Sequence, residues 1–453
     1  MGPGSIWAVA VGSIIGWGCF IQGGLWTERA GGTLPLFLGF LAGGLLMIVV
    51  GYSYSYMIAK FPVAGGEFAY AYKGFGRTAS YICGWMLSLG YLSIVALNAT
   101  ALPVLASYIF PGVFNRGYLY TIAGYDVYMG EVGLSLFFII LFGIMNYKGA
   151  KSVGNLQLIM VLIMCAAVVV SVAGVVVTGH FDVTNLQPAY GAEGKTLGGG
   201  FVSILALAPF LYVGFDCIPQ AAEEYKFSPT KASFIMIVAI SFGCFVYIAN
   251  NTITAAALAN WPDLIINSSH TPWLLLAASE RLLGVFGKVI VGIAVFSAVL
   301  TGIMGFYMAS SRLIYSMARD GYLPESFAVI DPKHRTPKNA LLFCIGISLS
   351  GPILGREALG WFVDMCAIGA SIGFLFTCLA TRVTMKKNGE SNSFLSIVSV
   401  LGAAFSAFFI ALQLIPIPGL DFVHFGTPSY LLLVVWILIG AAFYLGRFGL
   451  KAR

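Results

Sequence analysis

Two carboxylic acids, Asp216 and Asp364, stand inside long apolar runs, 148 positions apart. Acids at membrane depth are costly by several kcal/mol and mark functional sites by default. Near the first of them the chain reads Pro209-Phe210-Leu211-Tyr212-Val213-Gly214-Phe215-Asp216, followed by Glu223-Glu224. Proline removes a backbone donor and Gly214 loosens the helix around the acid. A second weak stretch reads Gly12-Ser13-Ile14-Ile15-Gly16-Trp17-Gly18. Each glycine there weakens a helix by about 1 kcal/mol relative to alanine. In lipid, backbone groups freed by unwinding must find partners or line a polar cavity. Close helix packing through Gly12 and Gly16 is the bland alternative. Paired interruptions at corresponding places in two halves point instead to a transporter site. Half-helix N-termini suit a carboxylate and exposed carbonyls suit an ammonium, so such a site takes a zwitterion without charged side chains.

Enzyme chemistry finds little support. The chain carries no H-E-x-x-H, and its G-x-S-x-G match at 369–373 lies inside an apolar run. Its eight cysteines all lie in apolar runs, none in C-x-x-C spacing, and read as small buried hydrophobes rather than metal ligands or disulfides. The histidines His180, His270, His334 and His424 are scattered over separate loops, which argues against a metal site. Gly194-Lys195-Thr196 lacks the first glycine of a phosphate loop, because Ala189 stands there. No cofactor is expected.

The elements that must position these residues follow from composition. Of 453 residues, 59% are hydrophobic and 9% charged, against roughly 25% charged in soluble domains; mean hydropathy is +0.91. Lipid must solvate most of this surface. Runs of about 20 apolar residues fall at 5–27, 33–59, 79–110, 131–147, 153–178, 199–222, 231–259, 285–311, 338–353, 358–381, 394–415 and 428–447, which predicts twelve spans. With the N-terminus inside, 18 of the 24 Lys and Arg residues fall on the cytoplasmic side, from Lys60 and Lys73 through Arg312 and Arg319 to Lys451 and Arg453. Only Arg29, Arg116, Lys195, Arg281, Lys288 and Arg356 fall outside. That bias supports an even count with both termini cytoplasmic. It also explains the net charge of +6 without nucleic acid, for which no basic cluster interleaved with aromatics is present. The chain enters its first apolar run from Ile6, so no cleavable signal peptide and little or no cytoplasmic tail are expected. The segments 60–78 and 312–338 are expected as short surface helices and turns.

Four motifs in order carry a resemblance over essentially the whole chain: G-S-I-I-G-x-G at 12–18, F-P-x-A-G-G-E-F at 61–68, F-x-Y-x-G-F-D at 210–216 leading to A-E-E at 222–224, and S-R-x-x-Y-x-M-A-R-D-G-x-L-P at 311–324 followed by T-P at 336–337. The chain resembles the amino acid–polyamine–organocation permeases. The resemblance implies an all-α membrane protein with a leucine-transporter-like 5+5 inverted repeat (1–178 and 199–384), discontinuous helices 1 and 6, and two peripheral helices (394–447). It implies a secondary active transporter of amino acids in the cytoplasmic (inner) membrane, working by alternating access as a symporter or exchanger coupled to H+ or Na+. Amines, polyamines or other small amino-containing metabolites are the alternative substrates. By motif position, Ser13, Ile14, Ile15, Gly16, Trp17 and Gly18 would meet the substrate carboxylate. Phe210 would close over the substrate, and Leu211, Tyr212, Val213 and Gly214 would form the floor and amine-binding carbonyls.

Two readings stand for each acid. Asp216 either titrates or attracts an amine, or it stabilises its own span; Asp364 either couples, or caps its helix and faces water. Ser297 and Thr301 are candidate sodium ligands, although membrane hydroxyls commonly bond their own backbone. Trp17 departs from the small residue usual in the motif and either narrows the pocket or points into lipid or a neighbour. Met164 stands where many members carry a span-5 lysine. Glu67, Arg319-Asp320 and Glu223-Glu224 read as gate or bracing groups.

Overall fold

The computed structural model describes residues 1–179, 182–258, 273–417 and 424–449. His180, His270, Lys451 and Arg453 lie outside the described residues. The chain is a bundle of α-helices: α1 (Pro3–Ile14), α2 (Gly18–Ile21), α3 (Gly23–Ala30), α4 (Thr33–Lys60), α5 (Gly66–Phe75), α6 (Arg77–Ile109), α7 (Met129–Tyr147), α8 (Ala150–Thr178), α9 (Leu197–Leu205), α10 (Ala208–Tyr212), α11 (Cys217–Gln220), α12 (Pro229–Ala257), α13 (Leu274–Arg319), α14 (Lys338–Ser348), α15 (Ala358–Lys387), α16 (Ser393–Leu414) and α17 (Thr427–Tyr444). Among the described residues, nine helices are long and apolar enough to cross a membrane: α4, α6, α7, α8, α12, α13, α15, α16 and α17. The remaining expected spans are interrupted (α1–α3, α9–α11) or short (α14).

Local chemistry sets these limits. Ser228 caps α12 by accepting from the Lys231 amide (3.3 Å), with Pro229 in the first turn. Asn392 caps α16 by accepting from the Leu395 amide (3.0 Å). At 33 residues, α6 is about 50 Å long, more than one crossing of about 30 Å needs. The expected span at 285–311 begins one residue after Gly284, whose φ of 64° breaks α13 in two. The turn closing α13 uses Gly321 at φ 82°.

The core lies where α6 packs between α13 and α15, all three largely buried. Peripheral helices carry one apolar face outward, as at Leu431, Val434 and Leu438 of α17, a surface suited to lipid rather than water. The sides of Trp85 (α6) and Trp436 (α17) stack at 4.6 Å, and each indole N–H donates to the other's backbone carbonyl (2.9 and 3.0 Å). This exchange satisfies both polar N–H groups inside apolar surroundings.

Two elements differ from the sequence expectations. An antiparallel hairpin, β1 (Tyr118–Ile122) with β2 (Tyr125–Tyr128), precedes α7; Gly124 at φ 87° makes its turn. The segment 60–78 does hold a helix, α5, but Glu67, Phe68, Tyr70 and Ala71 are buried, so it is a plug rather than a surface helix. Its neighbours α6 and α15 cover it, and periodicity within ten residues gives no sign of that.

Candidate functional site

The first interruption begins where α1 stops at Ile14. Ile15 leaves the helical region (φ −88°, ψ 81°), and the Gly16 amide turns back to the Ile14 carbonyl (3.1 Å). Helix restarts when Cys19 and Phe20 donate to the Gly16 and Trp17 carbonyls. The second interruption follows Tyr212. Val213 is extended (φ −56°, ψ 140°) and Gly214 takes φ 127°, a conformation glycine alone adopts readily. Asp216 closes this turn: its Oδ1 accepts from the Gly214 amide (2.7 Å) and its Oδ2 from the Tyr91 hydroxyl of α6 (2.9 Å).

The two breaks meet. A methyl group placed on Gly214 would sit 2.6 Å from the Ser13 carbonyl carbon and 2.7 Å from the Ile14 nitrogen. One hydroxyl, Tyr247 on α12, lies 3.0 Å from both the Ile14 and Leu211 carbonyls and shares its hydrogen between the two broken spans. From α13, the Thr301 hydroxyl reaches the Gly12 carbonyl (3.0 Å) as well as the Ser297 and Ala298 carbonyls (both 3.0 Å). Ser297 is buried one turn earlier, and Met164 is buried on α8.

Above the breaks lies a cavity of about 640 Å³. Trp17 and Phe210, one from each broken span, line it, and so does Asp364 from α15. The Trp17 indole therefore faces neither lipid nor a helix interface alone. Ser13, Ile14, Ile15, Gly18, Leu211, Val213, Gly214 and Asp216 are buried beneath this floor. Tyr212 turns away, donating its hydroxyl to the Phe40 carbonyl of α4 (2.7 Å). Asp364 accepts from the Ser429 hydroxyl of α17 (2.6 Å) instead of capping its own helix. The cavity runs out past Arg29 and Arg356 to Tyr125 in the hairpin. On its rim Arg356 pairs with Glu131 (2.5 Å) and bonds Ser107 (3.0 Å).

The opposite end is latched. Arg319 pairs with Glu223 (3.0 Å) and Arg312 with Glu224 (2.6 Å), tying the end of α13 to the end of the second broken span. Glu223 also accepts from the Ala64 amide (3.0 Å), while the Ser316 hydroxyl donates to the Ala64 carbonyl (2.9 Å). Glu67, in α5, accepts from the Tyr54 hydroxyl (2.9 Å) and the Gln220 amide (2.6 Å). Burial, with the negative charge of Asp216 nearby, pushes the Glu67 carboxyl well above its ordinary value. Among the described residues, no cluster of three or more His, Cys, Asp or Glu is placed to hold a metal ion.

The interrupted spans and the latch acids were visible as motifs. Tyr247, Tyr91 and the rim pair Arg356–Glu131 were not, because no spacing signal links partners that lie 36 to 233 positions apart.

Comparison with known proteins gives a consistent picture. A family model described as "Amino acid permease" matches residues 2–442. The chain is 26% identical to a branched-chain amino acid permease of Bacillus subtilis, over 98% of this chain and 92% of that protein. It is 25% identical to a methylthioribose transporter of the same organism, over 96% of this chain and 90% of the relative. It is also 25% identical to an Asc-type amino acid transporter of Mus musculus, over 94% and 80% respectively.

Proposed function

The chain belongs to the amino acid permease family, a multi-pass membrane protein family within the amino acid–polyamine–organocation superfamily, and on that premise we propose that it carries amino acids across the cytoplasmic membrane by alternating access. The observation that carries this reading is the meeting of the two broken spans, pinned by Gly214 against Ser13 and by the shared Tyr247 hydroxyl. In this reading the chain crosses the bilayer twelve times with both termini cytoplasmic. Residues 1–178 and 199–384 form inverted five-span repeats, with 394–447 as a peripheral pair.

The substrate carboxylate meets the backbone between Ser13 and Gly18, and the ammonium meets carbonyls between Leu211 and Gly214. Phe210 closes over it, and Trp17 shapes the space above. With the N-terminus inside, the cavity faces outward and the Arg312–Glu224 and Arg319–Glu223 pairs hold the cytoplasmic side shut. Asp216, bonded to both Gly214 and Tyr91, couples the unwound segment to α6. The ion is H+ through Asp216 or Asp364, or Na+ held by the Thr301 and Ser297 hydroxyls beside the Gly12 carbonyl, in symport or exchange.

A second reading, an amine or another small metabolite, is favoured by Trp17 in the binding segment and by the relative named for methylthioribose. Uptake of labelled amino acids, putrescine and methylthioribose into proteoliposomes, under imposed proton or sodium gradients, tests both. Gradient-dependent accumulation or counterflow of an amino acid is expected. Transport of putrescine or methylthioribose with no amino acid carried or competing would replace the first reading by the second.

A further inference from the structure

Glu67 stands between the latch and the broken spans. It is fully buried, and among the described residues its two carboxyl oxygens meet neutral donors, the Tyr54 hydroxyl of α4 (2.9 Å) and the Gln220 amide of α11 (2.6 Å). A carboxylate taken out of water is costly unless a cation pairs with it. The charge acting on this one is the like charge of Asp216. The latch cations are committed elsewhere, Arg312 to Glu224 and Arg319 to Glu223. The other titratable groups whose fields reach it are Tyr54, Tyr70 of α5, Cys83 and Tyr91 of α6, and Cys217 of α11. From α15 the neighbour is Gly373, where an added methyl would lie 3.6 Å from the Glu67 Cγ. Lys387 of α15 binds the Lys73 and Gly74 carbonyls at the other end of α5. Of the groups acting on Glu67, only the carboxyl of Asp216 ordinarily ionises below neutral pH, as Glu67 itself does.

The carboxyl is tethered to the latch from both sides. Ala64, three positions before it, is held by Glu223 at its amide (3.0 Å) and by Ser316 at its carbonyl (2.9 Å). Gln220, its donor, stands three positions before Glu223. Breaking the Arg319–Glu223 pair therefore loosens both the loop that carries Glu67 and the helix that covers it. The Gln220 Oε1 is buried and has no hydrogen-bond partner among the described residues. Turned end for end, that amide would accept from a protonated Glu67 at the same 2.6 Å, inside the range of about 2.5–3.0 Å for an O–H···O bond. The site thus has a partner ready for the neutral carboxyl as well as for the charged one.

From this geometry we propose that Glu67 is a proton-carrying site of transport: it holds its proton while the latch is shut, and its O–H gives that proton to water behind the latch when the latch opens. The proposal rests on the transport reading above, and it gives proton coupling an exit group on the far side of α11 from Asp216. A dry carboxyl is held neutral and a wetted one ionises, so the same opening that frees the substrate frees the proton. The charge left on Glu67 then favours closing only after a new proton arrives, which links each closure to one proton.

Proteoliposomes holding the purified full chain and an internal pH dye test this, with tritiated alanine, serine, leucine, methionine, glutamate and lysine as probes. For the amino acid that is carried, a gradient of about two pH units should drive wild-type accumulation at least about tenfold above equilibration, since each pH unit is worth up to about tenfold at one proton per substrate. The dye should report proton entry with it. Glu67→Gln is fixed in the neutral form. It should accumulate nothing above equilibration and show no substrate-linked proton entry, while its counterflow stays within about threefold of wild type. Counterflow exchanges substrate with no net proton release, so it reports a folded, binding-competent variant. Wild-type accumulation in Glu67→Gln overturns the proposal. Loss of counterflow together with accumulation also overturns it, because the role is then structural. So does a wild type driven by Na+ alone or by no gradient, and each of these leaves amino acid transport standing. Neither uptake nor counterflow of any of the six by the wild type overturns both.

Discussion

The two ends of the bundle hold the same kinds of side chain and pair them to different extents, the cavity end only on its rim through Arg356 and Glu131. At the latched end, guanidinium and carboxylate groups are matched to each other: Arg312 with Glu224, Arg319 with Glu223, and Glu67 with two donors. At the cavity end, Arg29 and Asp364 stay apart and the Gln413 amide has no partner among the described residues. The difference teaches where free energy is stored. The latched end ties α13 to the end of the second broken span, whereas the cavity end leaves space between its charged groups. Opening the latch requires its ion pairs to break.

The largest effect is expected at the wall between the ends. Gly214→Ala introduces a methyl 2.6 Å from the Ser13 carbonyl carbon at a φ of 127°. Backbone strain of about 1–3 kcal/mol and overpacking of a similar size add there. Uptake should fall at least tenfold, and thermal stability in detergent should drop; unchanged uptake would break the picture of two abutting breaks.

Next comes the buried half of the latch. Arg312 is 6% exposed and Glu224 27%. Removing one partner of a fully buried pair costs about 3–5 kcal/mol; partial exposure reduces this to about 2 kcal/mol for Arg312→Ala. The melting temperature should fall, and a cysteine probe at the latched end of α11 should label faster. Arg319→Ala, in a pair 35% and 41% exposed, should cost under about 1 kcal/mol. Equal losses in the two variants would erase the distinction between the buried and exposed arms.

A smaller effect concerns pH. Glu67 has a folded-state pKa raised by burial above the ordinary 4.5. Between those two values the folded form binds more protons than the unfolded one, so stability falls as pH rises through that window. A melting curve series should show this slope in the wild type and its loss in Glu67→Gln, which keeps the Tyr54 contact. A slope that persists in Glu67→Gln assigns it to another group.

Much of the architecture was legible in the residues. Apolar runs located the long helices because lipid demands about 20 such residues per crossing. Gly12, Gly16, Gly18 and Gly214 announced the breaks because glycine and proline act on their own local backbone. The acids at 223–224 were read as bracing, and they do brace. Other features were hidden. Glu67 reads as a gate or bracing group in a surface segment, and its burial is hidden because the helices that bury it come from distant segments. Tyr247 carries no motif; it is defined by two carbonyls from different spans.

Sequence by itself determined that this chain lives in lipid, where its helices interrupt, and which family it belongs to, since burial of the backbone in hydrocarbon and the conformational freedom of glycine are properties of short stretches. Only the tertiary structure decided that the two interruptions touch, that one end is latched while the other holds a cavity, and that Asp364 answers to Ser429. Those outcomes depend on distances between residues far apart in the chain, and such distances exist only once the helices have packed.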